Sequence, residues 1–326
     1  MDGVFRWAFI GTGTLAKKVA REITATGRHV IATAYSRNRE RLLAYCRNRE
    51  RLLAYCEPYG IYPAVSIADA VDRPDIDAVY ISVTNESHYE VCRQALEFGK
   101  PVLLEKPFTM NASDTEILQN LAASKNLYLA EAMWTWFADV PNAVRTFVQS
   151  GKLGRIKDVY MSYCAYSVGY APRVSDPLLG GGALLDIGIY PITYAYRLFG
   201  YPKSIVCKGD LQNGIDLGEH ITLGYDGFDV NMDVSIVDTR GEAMIIEGEK
   251  GFLANPGFHY GESGVAKTDE GVEIFKGQRS YTKEFDTVAD EIRAGRTESA
   301  FIPPKATLDC MKILDECRAA LAEGGV

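Results

Sequence analysis

Residues 4–16 read VFRWAFIGTGTLA. An apolar run of strand type ends at Gly11, a glycine-spaced turn follows, and a helix-like stretch opens at Leu15. The spacing is Gly11-x-Gly13-x-x-Ala16, and each small residue has a physical task. Gly11 permits the tight turn, Gly13 lets a pyrophosphate approach the backbone, and Ala16 lets helix and strand pack closely. The helix start behind them offers unbonded N–H groups to a phosphate. Gly11, Thr12, Gly13, Thr14 and Leu15 are therefore the expected cradle of a dinucleotide.

Outward from this turn the same rhythm repeats. Apolar runs at 29–36 (HVIATAYS), 77–83 (DAVYISV), 101–105 (PVLLE) and 127–132 (LYLAEA) alternate with helix-like stretches such as 15–24 and 88–98. Strand, helix, strand in this order predicts an α/β domain, a doubly wound parallel sheet with right-handed crossovers. After about residue 140 the pattern changes. PNAVRTFVQSGKLG opens a helix with Pro141 near its start, IKDVYMSYCAY reads as a strand, and a helix is expected over 183–199. Strands then follow without helices between them: SIVCKGDLQ, GEHITLGYD, FDVNMDVSIV, GEAMIIEGEKGFLANP and GVEIFK. The alternation of Val230, Met232, Val234 and Ile236 fits a sheet with one covered face. Two helices close the chain, TKEFDTVADEIRAG and PKATLDCMKILDECRAALAEG. The expected division is 1–125 for a dinucleotide-binding Rossmann domain. Residues 126–326 are left for an α+β domain with a large, mostly antiparallel sheet, its last helices packing back on the first domain.

The tip of the second strand decides which dinucleotide. A site for NAD places Asp or Glu there to hold the ribose 2′-OH. Here the tip reads Tyr35-Ser36-Arg37, a hydroxyl and a guanidinium suited to a 2′-phosphate. NADP is expected over NAD. Immediately beyond, RNRERLLAYC occurs twice in tandem, at 37–46 and 47–56. Ten residues turn a helix by about 1000°, roughly −80° beyond whole turns, so the two Leu-Leu pairs cannot face the sheet from one straight helix. The first copy is expected to keep Arg37 at the ligand. The second is expected to supply the helix end that leads into EPYGIYPAVS.

Bulk properties set the outer bounds. The chain has 326 residues, a formal net charge of −8, 47% apolar residues and 24% charged ones. The acidic balance argues against a nucleic-acid or anionic-membrane partner. The start MDGVFRWAFIG lacks the basic region and cleavage site of a leader, and seven scattered cysteines include no C-x-x-C pair. A reducing cytoplasm is expected. The four histidines lack ligand spacing, and no metal is expected.

GTGTLA, AYSRN, VTNESHYE, GKPVLLEKPFTMN, EAMWTWF and GGGALLDIGIYP occur in this order and cover most of the chain. Together they resemble the Gfo/Idh/MocA family of NAD(P)-dependent oxidoreductases, on the branch of the dimeric dihydrodiol dehydrogenases and NADP-linked D-xylose dehydrogenases. The resemblance implies hydride transfer between the nicotinamide and a carbinol of a sugar or vicinal diol, and a homodimer. It makes Lys106, after Glu105 and before a cis Pro107, the active-site lysine beside the nicotinamide. Thr84, Asn85 and His88 resemble the nicotinamide and ribose contacts, with a structural bond at a helix start as the other reading of His88. Asp186 and Tyr190 lie four residues apart, on one helix face. The family often has His in place of Tyr190. A phenol titrates near 10, and a neighbouring ammonium and the nicotinamide charge would lower it. Lys106 and Tyr190 are expected to manage the proton and Asp186 to orient the hydroxyl or the phenol. Trp136 stands where the branch has Arg, an aromatic platform in place of a guanidinium. The family also contains a nucleotide-binding repressor that does no chemistry; Lys106, Asp186 and Tyr190 together favour an enzyme.

Overall fold

A computed structural model describes residues 3–36, 50 and 53–324. The described residues up to Thr109, with Ser113–Trp134 and Ser280–Pro304, form one compact unit; Met110–Ala112, Thr135–Arg279 and the described residues from Lys305 onward form a second.

The first unit holds β1 (Phe5–Ile10), α1 (Thr14–Thr24), β2 (His29–Tyr35), β3 (Tyr62–Pro63), α2 (Ile67–Val71), β4 (Ala78–Ile81), α3 (His88–Glu97), β5 (Val102–Glu105) and β6 (Leu129–Ala132). Most of α4 (Ala112–Ser124) belongs to it as well. The sheet order is β3-β2-β1-β4-β5-β6, every pair parallel. The order reverses between β1 and β4, the place where open α/β sheets bind ligands beyond their strand ends. In α1, Ala16, Val19, Ala20 and Ile23 recur at helical spacing and are buried. A helix from late in the chain, α7 (Thr282–Arg293), also belongs to this unit. Its Phe285 stands edge-on to Trp7 at 4.9 Å and to Tyr80 at 5.1 Å, covering β1 and β4. Beneath them Trp7 donates to His29 Nδ1 at 3.2 Å, and His29 Nε2 lies 2.9 Å from Asp286.

The second unit contains α5 (Asp139–Gln149), β7 (Ile156–Cys164), α6 (Ile189–Phe199), the strands β8 (Ser204–Gln212) to β14 (Gly271–Lys276), and α8 (Pro304–Gly324). Between β8 and β14 run β9 (Ile215–Gly224), β10 (Asp229–Ser235), β11 (Gly241–Gly248), β12 (Gly251–Ala254) and β13 (Ser263–Thr268). The sheet order is β14-β13-β12-β11-β7-β10-β9-β8. Only β7 and β10 pair in parallel; the remaining pairs are antiparallel. Val230, Met232, Val234 and Ile236 are fully buried, as their alternation requires.

Four features differ from the sequence reading. β3 is two residues long and ends in Pro63 at the sheet edge, too short to leave a pattern. The run 241–256 divides at Glu249-Lys250 into β11 and β12. β13, read SGVAKT, is rich in small residues and carries no strand signature. The helix expected over 183–199 opens as a π turn, Leu184–Gly188, before α6.

Of the duplicated decapeptide, the structure describes only the end of the second copy and Glu50. Residues 53–56 are helical and lead into a 3-10 turn at Glu57–Tyr59. Tyr55 and Cys56 are buried, and the Tyr55 hydroxyl reaches the carbonyl of Ala16 at 3.4 Å. The first copy, Arg37 included, lies outside the described residues.

Candidate active site

In the first unit Gly11 has φ +110°, and a Cβ there would lie 2.3 Å from the carbonyl oxygen of Ser82 at the end of β4. Only glycine fits this turn. Gly13 is extended, at φ −70° and ψ −177°, and a Cβ there would meet nothing within 4 Å. It is the N-cap residue of α1 and brings no side chain of its own to cap that helix start. The helix therefore begins beside open space with amide hydrogens directed outward, the arrangement that a pyrophosphate requires. Thr12 is buried, and Ser36 is half-buried just past β2.

The tips of β4 and β5 are joined by one side chain. His88 is 1% exposed; its Nδ1 lies 2.8 Å from the carbonyl of Pro107 and its Nε2 lies 3.3 Å from that of Val83. Burial holds it below the usual imidazole range despite these carbonyls. Thr84 precedes a 3-10 turn at Asn85–Ser87 and donates to Glu86 at 2.8 Å, and Asn85 is buried. Glu105 is buried at the end of β5. Its Oε1 accepts the Tyr80 hydroxyl at 2.7 Å, and its Oε2 accepts the Lys106 backbone N–H at 3.2 Å. The Lys106–Pro107 bond is cis, and the Lys106 side chain is half-buried. Glu284, on α7, is 1% exposed. Burial, with the charges of Glu105 and Glu131 added, raises it well above its usual carboxylate value and favours its neutral form.

The second unit carries Asp186 and Tyr190. The run Gly180-Gly181-Gly182 leads into the π turn. Gly182 has φ +112°, and a Cβ there would lie 1.9 Å from Oδ1 of Asp216. The other oxygen of Asp216 accepts the Leu184 N–H at 2.6 Å and so fills this helix start from within the protein. Asp186 then accepts from Arg173 Nη1 at 2.9 Å. Tyr190 is 7% exposed, and its ring centroid lies 4.2 Å from that of His259 and 5.8 Å from that of Tyr163. Glu242 grips His259 twice: Oε2 accepts the backbone N–H at 3.1 Å and Oε1 lies 3.3 Å from the ring Nδ1. The Tyr163 hydroxyl lies 3.4 Å from the same nitrogen. Burial, then the negative charge of Glu242, pushes the Tyr163 phenol up.

Tyr163, His259 and Glu242 had no signal in the sequence. They come from three separated stretches, and only sheet pairing and the loop after β12 bring them to Tyr190. Trp136 is not an open platform. It is 5% exposed, and the Arg197 guanidinium lies over its ring at 4.8 Å. The aromatic thus sits beside a guanidinium supplied by α6. Burial lowers that guanidinium to about 10, and it donates to Asn142 at 2.7 Å. Among the described residues no cluster of three or more His, Cys, Asp or Glu is placed to hold a metal. Residues 177–199 are long and apolar enough to span a membrane by length and composition, with 83% of the tested window buried in the protein.

A glycine-turn dinucleotide fold of Rossmann order, followed by a second unit built on a large sheet, defines a two-part oxidoreductase. Residues 5–132 match the oxidoreductase family described as GFO_IDH_MocA, NAD-binding Rossmann fold, and residues 142–254 match the GFO/IDH/MocA C-terminal domain. The chain belongs to the Gfo/Idh/MocA oxidoreductase family. It is 28% identical over 330 residues to a scyllo-inositol 2-dehydrogenase (NADP(+)) of Bacillus subtilis, covering 97% of this chain and 96% of that protein. It is 26% identical over 368 residues to a D-xylose 1-dehydrogenase (NADP(+)) of Hypocrea jecorina, covering 98% and 92%. Among solved structures, KijD10, a 3-ketoreductase from Actinomadura kijaniata in complex with NADP and TDP-benzene, superposes with a TM-score of 0.85 over 98% of each chain. At 21% identity that likeness concerns the fold.

Proposed function

We propose that the protein is an NADP-dependent dehydrogenase or reductase acting on a carbinol of a cyclic sugar or vicinal diol. The observation that carries this reading is the start of α1. A glycine turn leads into a helix whose N-cap, Gly13, supplies no side-chain cap and has open space beside it among the described residues, at the point where the sheet order reverses. Relatives named as NADP(+)-dependent dehydrogenases of an inositol and of xylose support the cofactor and the substrate class. Gly11, Thr12, Gly13, Thr14 and Leu15 would hold the pyrophosphate, Ser36 and Arg37 the 2′-phosphate, and Thr84, Asn85 and Glu105 the nicotinamide side. When bound, the nicotinamide supplies the hydride acceptor or donor. The chain's own residues manage the rest. Lys106 polarises the substrate oxygen, Tyr190 exchanges the hydroxyl proton, and Asp186, held by Arg173, orients the group. His88 acts here as a brace for the Lys106–Pro107 turn.

The experiment has two arms. Melting temperature measured with NADP+ and with NAD+ is expected to rise more with NADP+. Nicotinamide absorbance, followed across a panel of sugars, inositols and diols, is expected to find a substrate whose oxidation is lost in Lys106→Ala. Binding without turnover on any of them would return the protein to the regulator reading.

The protein is further proposed to work in the cytoplasm as a homodimer. Six described cysteines are buried free thiols. On the outer face of the eight-stranded sheet, one row runs through Val206, Tyr160, Ile245 and Ile274, and Val206, Ile245 and Ile274 are exposed. Light scattering coupled to gel filtration is expected to give twice the chain mass, and Ile245→Lys is expected to halve it.

A further inference from the structure

Tyr190 presents a difficulty that the second unit itself addresses. A phenol is a poor proton acceptor at neutral pH unless a positive charge favours its ionised form. The nearest titratable ring to Tyr190 in its own unit is His259, at 4.2 Å between centroids and 62° between planes. His259 is 5% exposed, and Glu242 holds both its backbone N–H and its Nδ1 edge. A carboxylate at Nδ1 fixes the tautomer with the proton on that nitrogen, leaves Nε2 as the basic one, and favours the imidazolium. We propose that His259, locked by Glu242, is a positioning residue that acts on the reaction through Tyr190, its positive charge favouring the phenolate. The inference rests on the assignment of Tyr190 to the proton step.

The charged and titratable groups around the imidazole are consistent with this. Glu242 is the anion in contact. Tyr163, whose hydroxyl lies 3.4 Å from Nδ1, is pushed up by burial and stays a neutral phenol. Tyr260 lies 4.7 Å from the His259 ring and is covered by the Arg279 guanidinium at 4.7 Å. Asp186 is tied to Arg173. Tyr190 is therefore the phenol on which the imidazolium can act, while Tyr163 shares Nδ1 with the carboxylate.

The chain has four histidines, which makes the test direct. Protein labelled with 13C at histidine Cε1 gives four titrating signals at most, and H259Q identifies the one in question. E242Q is expected to lower the His259 midpoint by about one pH unit, since a lost carboxylate partner disfavours the cation. Y190F is expected to displace the same titration, because coupling between two groups is reciprocal. In the oxidative direction, H259Q is expected to move the rising limb of log kcat to higher pH by roughly one unit, with KM unchanged. A His259 titration that is the same in wild type, E242Q and Y190F overturns the proposal, whether or not a substrate has been found. So does an H259Q enzyme whose pH limb stays in place. Should H259Q fail to fold, H259N identifies the signal and the E242Q and Y190F titrations still decide. Failure of the underlying assignment looks different: Y190F turns over at the wild-type rate while the His259 coupling persists.

Discussion

Each unit contains a glycine that nothing else can replace, and the two make an instructive pair. Gly11 and Gly182 share a φ near +110°, both lead into a helical turn, and both would drive a Cβ into an oxygen of a neighbouring strand. The neighbours differ in kind. At Gly11 it is the backbone carbonyl of Ser82, just past β4. At Gly182 it is the carboxylate of Asp216, whose second oxygen takes the first amide of the π turn. One helix start is thus closed by a carboxylate of the protein; the other has no such carboxylate among the described residues. The same backbone device serves the proposed cofactor turn in one place and a rigid mount for Asp186 and Tyr190 in the other.

The contrast can be broken at its strongest point first. Gly11→Ala places a methyl group against a carbonyl that cannot swing away. It is expected to cost about 3 kcal/mol or more of stability and to abolish the melting shift with NADP+. Gly182→Ala is expected to cost about 2–3 kcal/mol, read by urea unfolding, while NADP+ affinity holds. Because Asp216 is a side chain, the clash there is relievable. Adding Asp216→Ala is expected to recover about 1 kcal/mol relative to the sum of the single variants. An additive cycle would mean that the carboxylate is not what excludes a side chain at 182.

Gly13→Ser sharpens the other side. The backbone is already extended and the space is open, so the hydroxyl can cap α1. The unliganded protein is expected to gain about 0.5–1 kcal/mol, and NADP+ affinity is expected to fall about tenfold or more. A variant that is both more stable and binds as tightly would remove the reason for the bare helix start. The smallest effect concerns pH. Burial raises Asp216 above its unfolded value. Its contribution is therefore complete below the unfolded carboxyl value, near 3.8, and declines as pH rises through the folded one. Asp216→Asn is expected to flatten the fall in melting temperature as pH rises above the unfolded carboxyl value.

The first unit was largely legible because its signals are local. Apolar runs, the glycine spacing and Glu105-Lys106-Pro107 each occupy a few consecutive residues. What escaped there was β3, which is too short to show a period. In the second unit Asp186 and Tyr190 lie four residues apart, on the π turn and on α6 rather than on one regular helix face, and the groups around Tyr190 lie far from both in the chain. Residues 163, 190, 242 and 259 meet only through β7–β11 pairing and the turn after β12. No spacing in the chain encodes that. The Arg197–Trp136 stack was hidden for the same reason, and with it the fact that the indole is covered. Asp216 was invisible too: the glycine run at 180–182 was read, but the carboxylate that makes Gly182 obligatory lies over thirty residues away.

The brace at His88 has a consequence for how changes in this unit propagate. One imidazole spans the carbonyls of Val83 and Pro107, so two adjacent strand tips share a single spacer. A substitution that shortens or tilts that spacer shifts the loop at 83–88 and the lysine turn together. Loss of cofactor hold and loss of turnover would then arrive as one defect, and kinetics alone would not separate them.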